Sequence, residues 1–213
     1  MPGPSPIPAH PDVSVESDET VWNGRFALQR ITFRNRRFDG AMSGLRTWEL
    51  WRRGQAAALL PYDPVADAVV LIEQFRLPAL AAGLEPVMVE VPAGLCDPGE
   101  DPQTTVRRES EEEMGTAPRR LRRIGDFLLS PGGMDERVHV YVGEITIPPH
   151  DADGIAGIAG LEAEHEDIRA RVWPAEKAIA AALSGAFPNV ITALALFWLA
   201  GQREQLRREW SGV

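Results

Sequence analysis

The segment GLCDPGEDPQTTVRRESEEEMGT (residues 94–116) carries an unusual density of charged side chains. Four glutamates and two arginines share the seven positions 107–113. The aspartate–proline pair at 101–102 is typical of a helix start, because the carboxylate can cap free backbone N–H groups and proline is favoured at the first helical position. Gly115 is typical of a helix end. The segment therefore predicts a helix over about residues 102–114.

The glutamates of this helix are placed where electrostatics disfavours them. At about 100° per residue, Glu109 and Glu113 lie one turn apart on one face, with Glu112 beside them. Like charges at this spacing repel, and negative charge near a helix C-terminus opposes the helix dipole. A hard divalent cation would relieve the repulsion, because Mg²⁺ binds carboxylate and phosphate oxygens. The alternative is a solvated acidic helix paired with Arg107 and Arg108.

The spacing of the segment resembles the Nudix box, G-x5-E-x7-R-E-U-x-E-E-x-G-U, in which U is a bulky apolar residue. Gly94, Glu100 and the run RESEEEMG (108–115) fill every fixed position. Ser110 and Thr116 stand at the two U positions, where they affect packing rather than metal binding. The resemblance implies an α/β fold, namely an α/β/α sandwich around a mixed sheet. It also implies hydrolysis of a nucleoside diphosphate linked to another moiety.

The resemblance to the Nudix family implies roles for individual residues of the segment. Glu109 and Glu113 would bind Mg²⁺, with Mn²⁺ as a possible substitute, and Glu112 would be a further ligand or a neighbour of the ligands. The backbone carbonyl of Ala93 would be another ligand. Arg108 would orient the glutamates by salt bridges, so that Arg108 and Glu112 both serve catalysis. Similar enzymes bind about two or three ions per site.

A second motif points to the substrate. Residues 130–133 (SPGG), followed by Glu-Arg at 136–137, are similar to the ADP-ribose pyrophosphatase subfamily, although a Pro-Gly turn is the structural alternative. The stretches VVLIEQFR (69–76), EVPAGL (90–95) and EHEDIRARVW (164–173) agree with that subfamily. The resemblance implies cleavage of ADP-ribose to AMP and ribose 5-phosphate. Two alternatives stay open: hydrolysis of another nucleoside diphosphate sugar such as GDP-mannose, and a non-catalytic module that binds ADP-ribose.

The subfamily resemblance also predicts residues that contact the substrate. Arg76 would contact a phosphate or the adenosine side, Glu136 would lie near the terminal ribose, and Pro131 belongs to the same substrate motif. A second substrate arginine is expected in an N-terminal strand. The aligned position there holds Trp48, and Arg46 is only nearby.

A general base is needed to take the proton of the attacking water. In similar enzymes it is a glutamate on the loop after the SPG motif, and GLEAEHEDIR (160–169) offers Glu162, Glu164 and Glu166. Alignment favours Glu164 and leaves the other two as alternatives. The stretch 148–160, rich in Gly and Ala, has no periodicity and predicts a long flexible loop that would let the base move.

Bulk properties limit the classes of partner. The 213 residues carry a net charge of −9, and a duplex-binding protein usually needs a basic face, so no nucleic acid is expected. The single cysteine, Cys96, excludes a disulfide within the chain and favours a reducing, cytoplasmic location. The longest apolar run, 190–200, is too short to cross a bilayer, so no membrane association is expected.

Composition divides the chain into three stretches. Five prolines in the first eleven residues predict a disordered tail over residues 1–18. Residues 19–54 predict a small antiparallel β unit, and residues 55–213 predict the hydrolase domain. In the family the N-terminal unit typically swaps across a homodimer, so the resemblance implies that residues 19–54 mediate dimerisation.

Overall fold

A computed structural model describes residues 4–161 and 165–211 and shows a mixed α/β chain. The strands are β1 (Val13–Asn23), β2 (Ala27–Asn35), β3 (Arg46–Arg52), β4 (Gln55–Asp63), β5 (Ala68–Phe75), β6 (Val87–Glu90), β7 (Ala93–Leu95), β8 (Arg120–Leu128), β9 (Arg137–Glu144), β10 (Ile155–Ala159) and β11 (Ile168–Pro174). The helices are α1 (Leu77–Ala81), α2 (Pro102–Met114), α3 (Ala175–Leu183) and α4 (Val190–Trp210). The chain divides into two compact units.

The first unit consists of the chain up to Gln55 together with Leu128–Arg137. Its sheet has the order β1-β2-β3, and both pairs are antiparallel. β1 begins at Val13, inside the range 1–18 for which composition predicted a disordered tail. Residues 13–18 form a strand because they pair with β2, which supplies partners for their backbone N–H and C=O groups. Proline content alone does not indicate this pairing. The segment 128–137 joins this unit through bonds such as that from the Trp51 N–H to the Gly133 carbonyl, at 2.8 Å.

The second unit consists of Ala56–Phe127 and the chain from Val138 onward. Its sheet follows the order β10-β11-β5-β4-β9-β8, with β6 paired to β5 and β7 paired to β4. β4 and β5 are central and buried along most of their length, which explains their nearly continuous apolar sequence.

Helices cover both faces of this second sheet. Met114 of α2 packs in one buried cluster with Val70 and Ala170. Val106 of α2 packs in a second buried cluster with Leu59 and Tyr141. Trp173, which points to the opposite face from Val172 because strand side chains alternate, contacts the ring of Phe187 between α3 and α4. The unit is therefore an α/β/α sandwich.

The acidic helix has the bounds that the sequence predicted, Pro102–Met114, and it ends at Gly115 with a left-handed φ of 68°. The reason given for its start was wrong in one respect. The Asp101 side chain makes no capping hydrogen bond. Its backbone carbonyl accepts from the N–H groups of Thr104 and Thr105 instead, at 2.8 and 3.1 Å.

The stretch 148–160 is not entirely a loop, because it contains β10. β10 lies at the edge of the sheet and pairs antiparallel with β11. Glycine and alanine have weak strand propensity, so this strand forms by pairing rather than by a local sequence signal. Within residues 4–161 and 165–211, no helix is long and apolar enough to span a membrane.

Candidate functional site

The glutamates of α2 meet the start of β7 in the second unit. Glu113 is 2% exposed, and its Oε2 accepts the backbone N–H of Ala93 at 3.1 Å. Burial, followed by the charge of nearby Glu109, raises the pKa of Glu113 to about 9. Burial also raises the pKa of Glu109. The described protein groups therefore compensate the ionised forms of these two side chains only in part: Arg108 acts on Glu109, and the Ala93 N–H acts on Glu113.

Arg108 is bonded to three carboxylates at once. Its Nη1 donates to Glu109 Oε1 at 2.7 Å and to Glu112 Oε2 at 3.2 Å. Its Nε and Nη2 donate to Glu100, each at 3.3 Å. The bond from Arg108, with further bonds from the Asp97 N–H and a threonine hydroxyl, lowers the pKa of Glu100 to about 2. Glu100 thus fixes one side of the guanidinium, and the other side sets the position of two glutamates.

Gly94 lies against the Glu109 side chain. A Cβ built at this position would overlap both the Cδ and the Oε1 of Glu109. The backbone of β7 therefore passes directly beside α2, and only glycine leaves room for the carboxylate. This contact gives a physical reason for the first glycine of the motif.

Two more charged residues influence the same glutamates. The positive charge of Arg76 lowers the pKa of Glu113, and the negative charge of Glu166 raises it. Arg76 Nε donates to Glu90 Oε2 at 2.8 Å. Glu166, which the sequence offered only as an alternative base, is electrostatically coupled to Glu109 as well. It also lines a cavity of about 350 Å³ in this unit.

The donor chemistry of the cluster fits a hard divalent cation. Among the described side chains, no three of His, Cys, Asp or Glu lie close enough together to hold a metal ion. The oxygens of Glu109 and Glu112 are instead held by Arg108. The set is nevertheless all oxygen, and the two most buried carboxylates have raised pKa values. A bound cation would remove the cost of ionising them.

The remaining candidate residues lie in the first unit. Glu136 is buried, and Arg53 holds it through two bonds, the shorter at 3.2 Å. Arg46 donates to Asn35 Oδ1 at 3.1 Å. Pro131 is exposed in the turn that follows β8.

Arg53 directly follows β3, and it was missed by the sequence analysis, which searched that strand for a substrate arginine. Its guanidinium lies 3.9 Å from the centre of the Phe26 ring and also faces Trp51. Next to it, Arg52 forms a 2.6 Å ion pair with Asp135. The sequence feature that could have indicated Arg53 was the pair of adjacent arginines at the end of β3.

A family model described as NUDIX domain matches residues 52–192. The chain belongs to the Nudix family. Among curated relatives, the ADP-ribose pyrophosphatase of Escherichia coli K12 is 40% identical over 200 residues, covering 94% of this chain and 93% of that protein. The ADP-ribose pyrophosphatase of Haemophilus influenzae is 36% identical over 202 residues, covering 93% and 91%. The GDP-mannose pyrophosphatase of Salmonella arizonae is 30% identical over 189 residues, covering 88% and 95%.

A solved structure supports the Nudix fold. The crystal structure of an ADP compounds hydrolase superposes with a TM-score of 0.67 at 22% identity, covering 96% of this chain and 99% of that one. The predicted Nudix fold is therefore confirmed. The favoured base, Glu164, and its alternative Glu162 lie outside the described residues.

Proposed function

We propose that this Nudix protein hydrolyses the pyrophosphate bond of ADP-ribose to AMP and ribose 5-phosphate with the help of divalent metal ions. The observation that carries the proposal is the pair of neighbouring glutamates, buried Glu113 and half-buried Glu109, whose charges no described cation fully compensates. They occur in a chain that is 40% identical to ADP-ribose pyrophosphatases over 94% of its length.

The box residues would hold the ions as follows. Glu109, Glu113 and the Ala93 carbonyl would be ligands, and Glu112 would be a further ligand or a neighbour of the ligands. When bound, Mg²⁺ or Mn²⁺, in about two or three ions per site, would lower the pKa of water and neutralise phosphate charge. Arg108 would keep the glutamates in place, since Glu100 anchors its opposite side.

The other site residues would bind substrate or move a proton. Arg76 would donate to a phosphate, and Glu164 would take the proton of the attacking water. Glu136, Pro131 and Arg46 are proposed substrate contacts on the strength of the subfamily resemblance. The buried pairing of Glu136 with Arg53 supports a fixed position for that carboxylate.

A substrate panel tests the proposed function. Purified protein with Mg²⁺ is assayed on ADP-ribose, GDP-mannose, NADH, diadenosine polyphosphates and CoA, with products separated by chromatography. We expect kcat/KM for ADP-ribose to exceed that for GDP-mannose by at least about tenfold, which is 1.4 kcal/mol of discrimination. The second candidate substrate is GDP-mannose, because one relative is a GDP-mannose pyrophosphatase. Faster cleavage of GDP-mannose than of ADP-ribose would show that the proposed substrate is wrong. Binding of ADP-ribose without cleavage would favour a non-catalytic module.

Gly94→Ala is expected to weaken metal binding about 10- to 100-fold, the usual effect of disturbing the groups that orient a ligand. The added methyl group would push the Glu109 carboxylate away from its present position. Calorimetric titration with Mn²⁺ measures the loss. Gly132→Ala is a suitable control, because a Cβ there meets nothing within 4 Å. Unchanged Mn²⁺ affinity in Gly94→Ala would contradict the assignment of Glu109 as a ligand.

We also propose a homodimer built through residues 19–54, with residues 55–213 as the catalytic domain and the cytoplasm as its location. Large apolar side chains of the first unit are exposed, including Trp22 at 67% and Trp48 at 49%. Exposed apolar surface of this kind marks protein contacts, and a second copy is the proposed partner. Light scattering of purified protein tests this, and a monomeric mass at micromolar concentration would contradict it.

A further inference from the structure

Two hydrogen bonds hold Arg76, one from its backbone and one from its guanidinium. Its backbone N–H donates to the Pro86 carbonyl at 2.7 Å, which sets the backbone where β5 leads into α1. Its Nε donates to Glu90 Oε2 at 2.8 Å. In the part of the chain that the structure describes, no acceptor is bonded to Nη1 or Nη2 of Arg76. These two NH₂ groups are available for an anionic ligand.

Glu90 is itself held from the other side. Its side chain is 7% exposed, and Asn189 Nδ2 donates to Glu90 Oε1 at 2.6 Å. Asn189 is the N-cap of α4, where its Oδ1 accepts the Thr192 N–H at 3.0 Å. Because the cap uses the amide oxygen, the amide nitrogen is left to face Glu90. Aspartate would also cap the helix, but an ionised carboxylate has no donor for Glu90.

We infer that Glu90 and Asn189 are positioning residues that hold the Arg76 guanidinium in one orientation, with its two NH₂ groups presented to the phosphates of the substrate. The inference rests on the proposed function and extends it to residues outside the Nudix box. An arginine fork binds phosphate bidentately only when its plane is oriented, and a side chain ordered in advance loses less entropy on binding. The positive charge of Arg76 also acts on Glu113, one of the proposed metal ligands.

A purely structural role for the same contacts would be to fasten α4 to the sheet. That task is shared by Thr192, whose Oγ1 accepts the Val91 N–H at 3.0 Å. Thr192 Oγ1 also donates to Asn189 Oδ1 at 3.2 Å, but Thr192→Val keeps the backbone N–H that this oxygen accepts. The substitution therefore loosens the same helix end while the Asn189 amide stays oriented toward Glu90. It is the matched control, for which we expect a lower Tm and an unchanged KM.

Steady-state kinetics on ADP-ribose test the inference with Asn189→Asp and Glu90→Gln. We expect each to raise KM about tenfold, the effect of losing one charge-assisted hydrogen bond, while kcat changes less than about threefold. Partial unfolding would lower apparent kcat and leave KM unchanged. A change in KM without a matching change in kcat therefore indicates a positioning role rather than a structural one. Arg76→Ala should raise KM at least as much. Adding Asn189→Asp to Arg76→Ala should raise it no further, because the two residues act together.

Three outcomes would overturn the inference while the proposed function stands: unchanged KM in both variants, KM effects that add to those of Arg76→Ala, or an equal KM effect in Thr192→Val. A wild type inactive on ADP-ribose would instead reject the proposed function. In that case NMR decides the inference, because the Arg76 Nε–H signal reports the Glu90 bond without any substrate. We expect its exchange with water to accelerate about tenfold in Asn189→Asp. Unchanged exchange would overturn the inference.

Discussion

Glu113→Gln is expected to lower kcat/KM for ADP-ribose at least about 10³-fold, because losing a metal ligand removes several kcal/mol of stabilisation from the transition state. Glutamine keeps the size of the side chain and an oxygen to accept the Ala93 N–H. It removes only the charge that a cation needs. Glu111→Gln is the matched control, since Glu111 lies on the same helix, carries the same charge and is exposed. Loss of activity in both variants, or in neither, would contradict the assignment.

The same substitution is expected to stabilise the metal-free protein. The pKa of Glu113 is raised from 4.5 to about 9 in the folded state, so the folded state binds more protons than the unfolded state between these values. The Glu113 carboxyl therefore contributes stability at low pH, and this contribution is lost as the pH rises from about 4.5 to about 9. Glutamine does not titrate. In EDTA at pH 8 we therefore expect Glu113→Gln to raise Tm by at least about 2 °C.

Thermal unfolding at pH 5 and pH 8 measures this difference. The gain from Glu113→Gln should be larger at pH 8 than at pH 5. Added Mg²⁺ should stabilise the wild type more than the variant, because the ion binds the charged form. A variant that is less stable than the wild type at pH 8 in EDTA would show that the Glu113 carboxylate is compensated without metal.

Glu164→Gln is expected to lower kcat about 10³-fold while binding of ADP-ribose is retained, because the substitution removes a general base and no phosphate contact. Rapid-quench turnover gives the rate, and calorimetry on the inactive variant gives the affinity. Glu162→Gln and Glu166→Gln are the matched variants, because they change the two alternative bases in the same way. A larger fall in kcat for Glu166→Gln would transfer the role of base to Glu166, which is already coupled to Glu109 and Glu113.

Local signals made the acidic helix predictable. The proline at its first position and Gly115 at its end are features of neighbouring residues, and the observed bounds match them. The spacing of the glutamates follows from helix geometry alone. The resemblance to the Nudix box then supplied the family, which the comparisons confirmed.

Contacts between distant parts of the chain could not be predicted in this way. The bond between Glu90 and Asn189 joins residues 99 positions apart, and that between Arg53 and Glu136 joins residues 83 apart. The inclusion of Leu128–Arg137 in the first unit has the same origin. β10 was missed because its strand depends on pairing with β11. Pairing partners are set by the tertiary fold, and a single sequence does not reveal them.

The central claim is that Glu109 and Glu113 exist as neighbours because divalent cations bind between them and a diphosphate. A crystal structure with Mg²⁺ and a non-hydrolysable ADP-ribose analogue tests it most directly. We expect ion density about 2.1 Å from an oxygen of each glutamate. If Arg108 instead keeps its bond to Glu109 and no ion is bound at saturating Mg²⁺, the claim is contradicted.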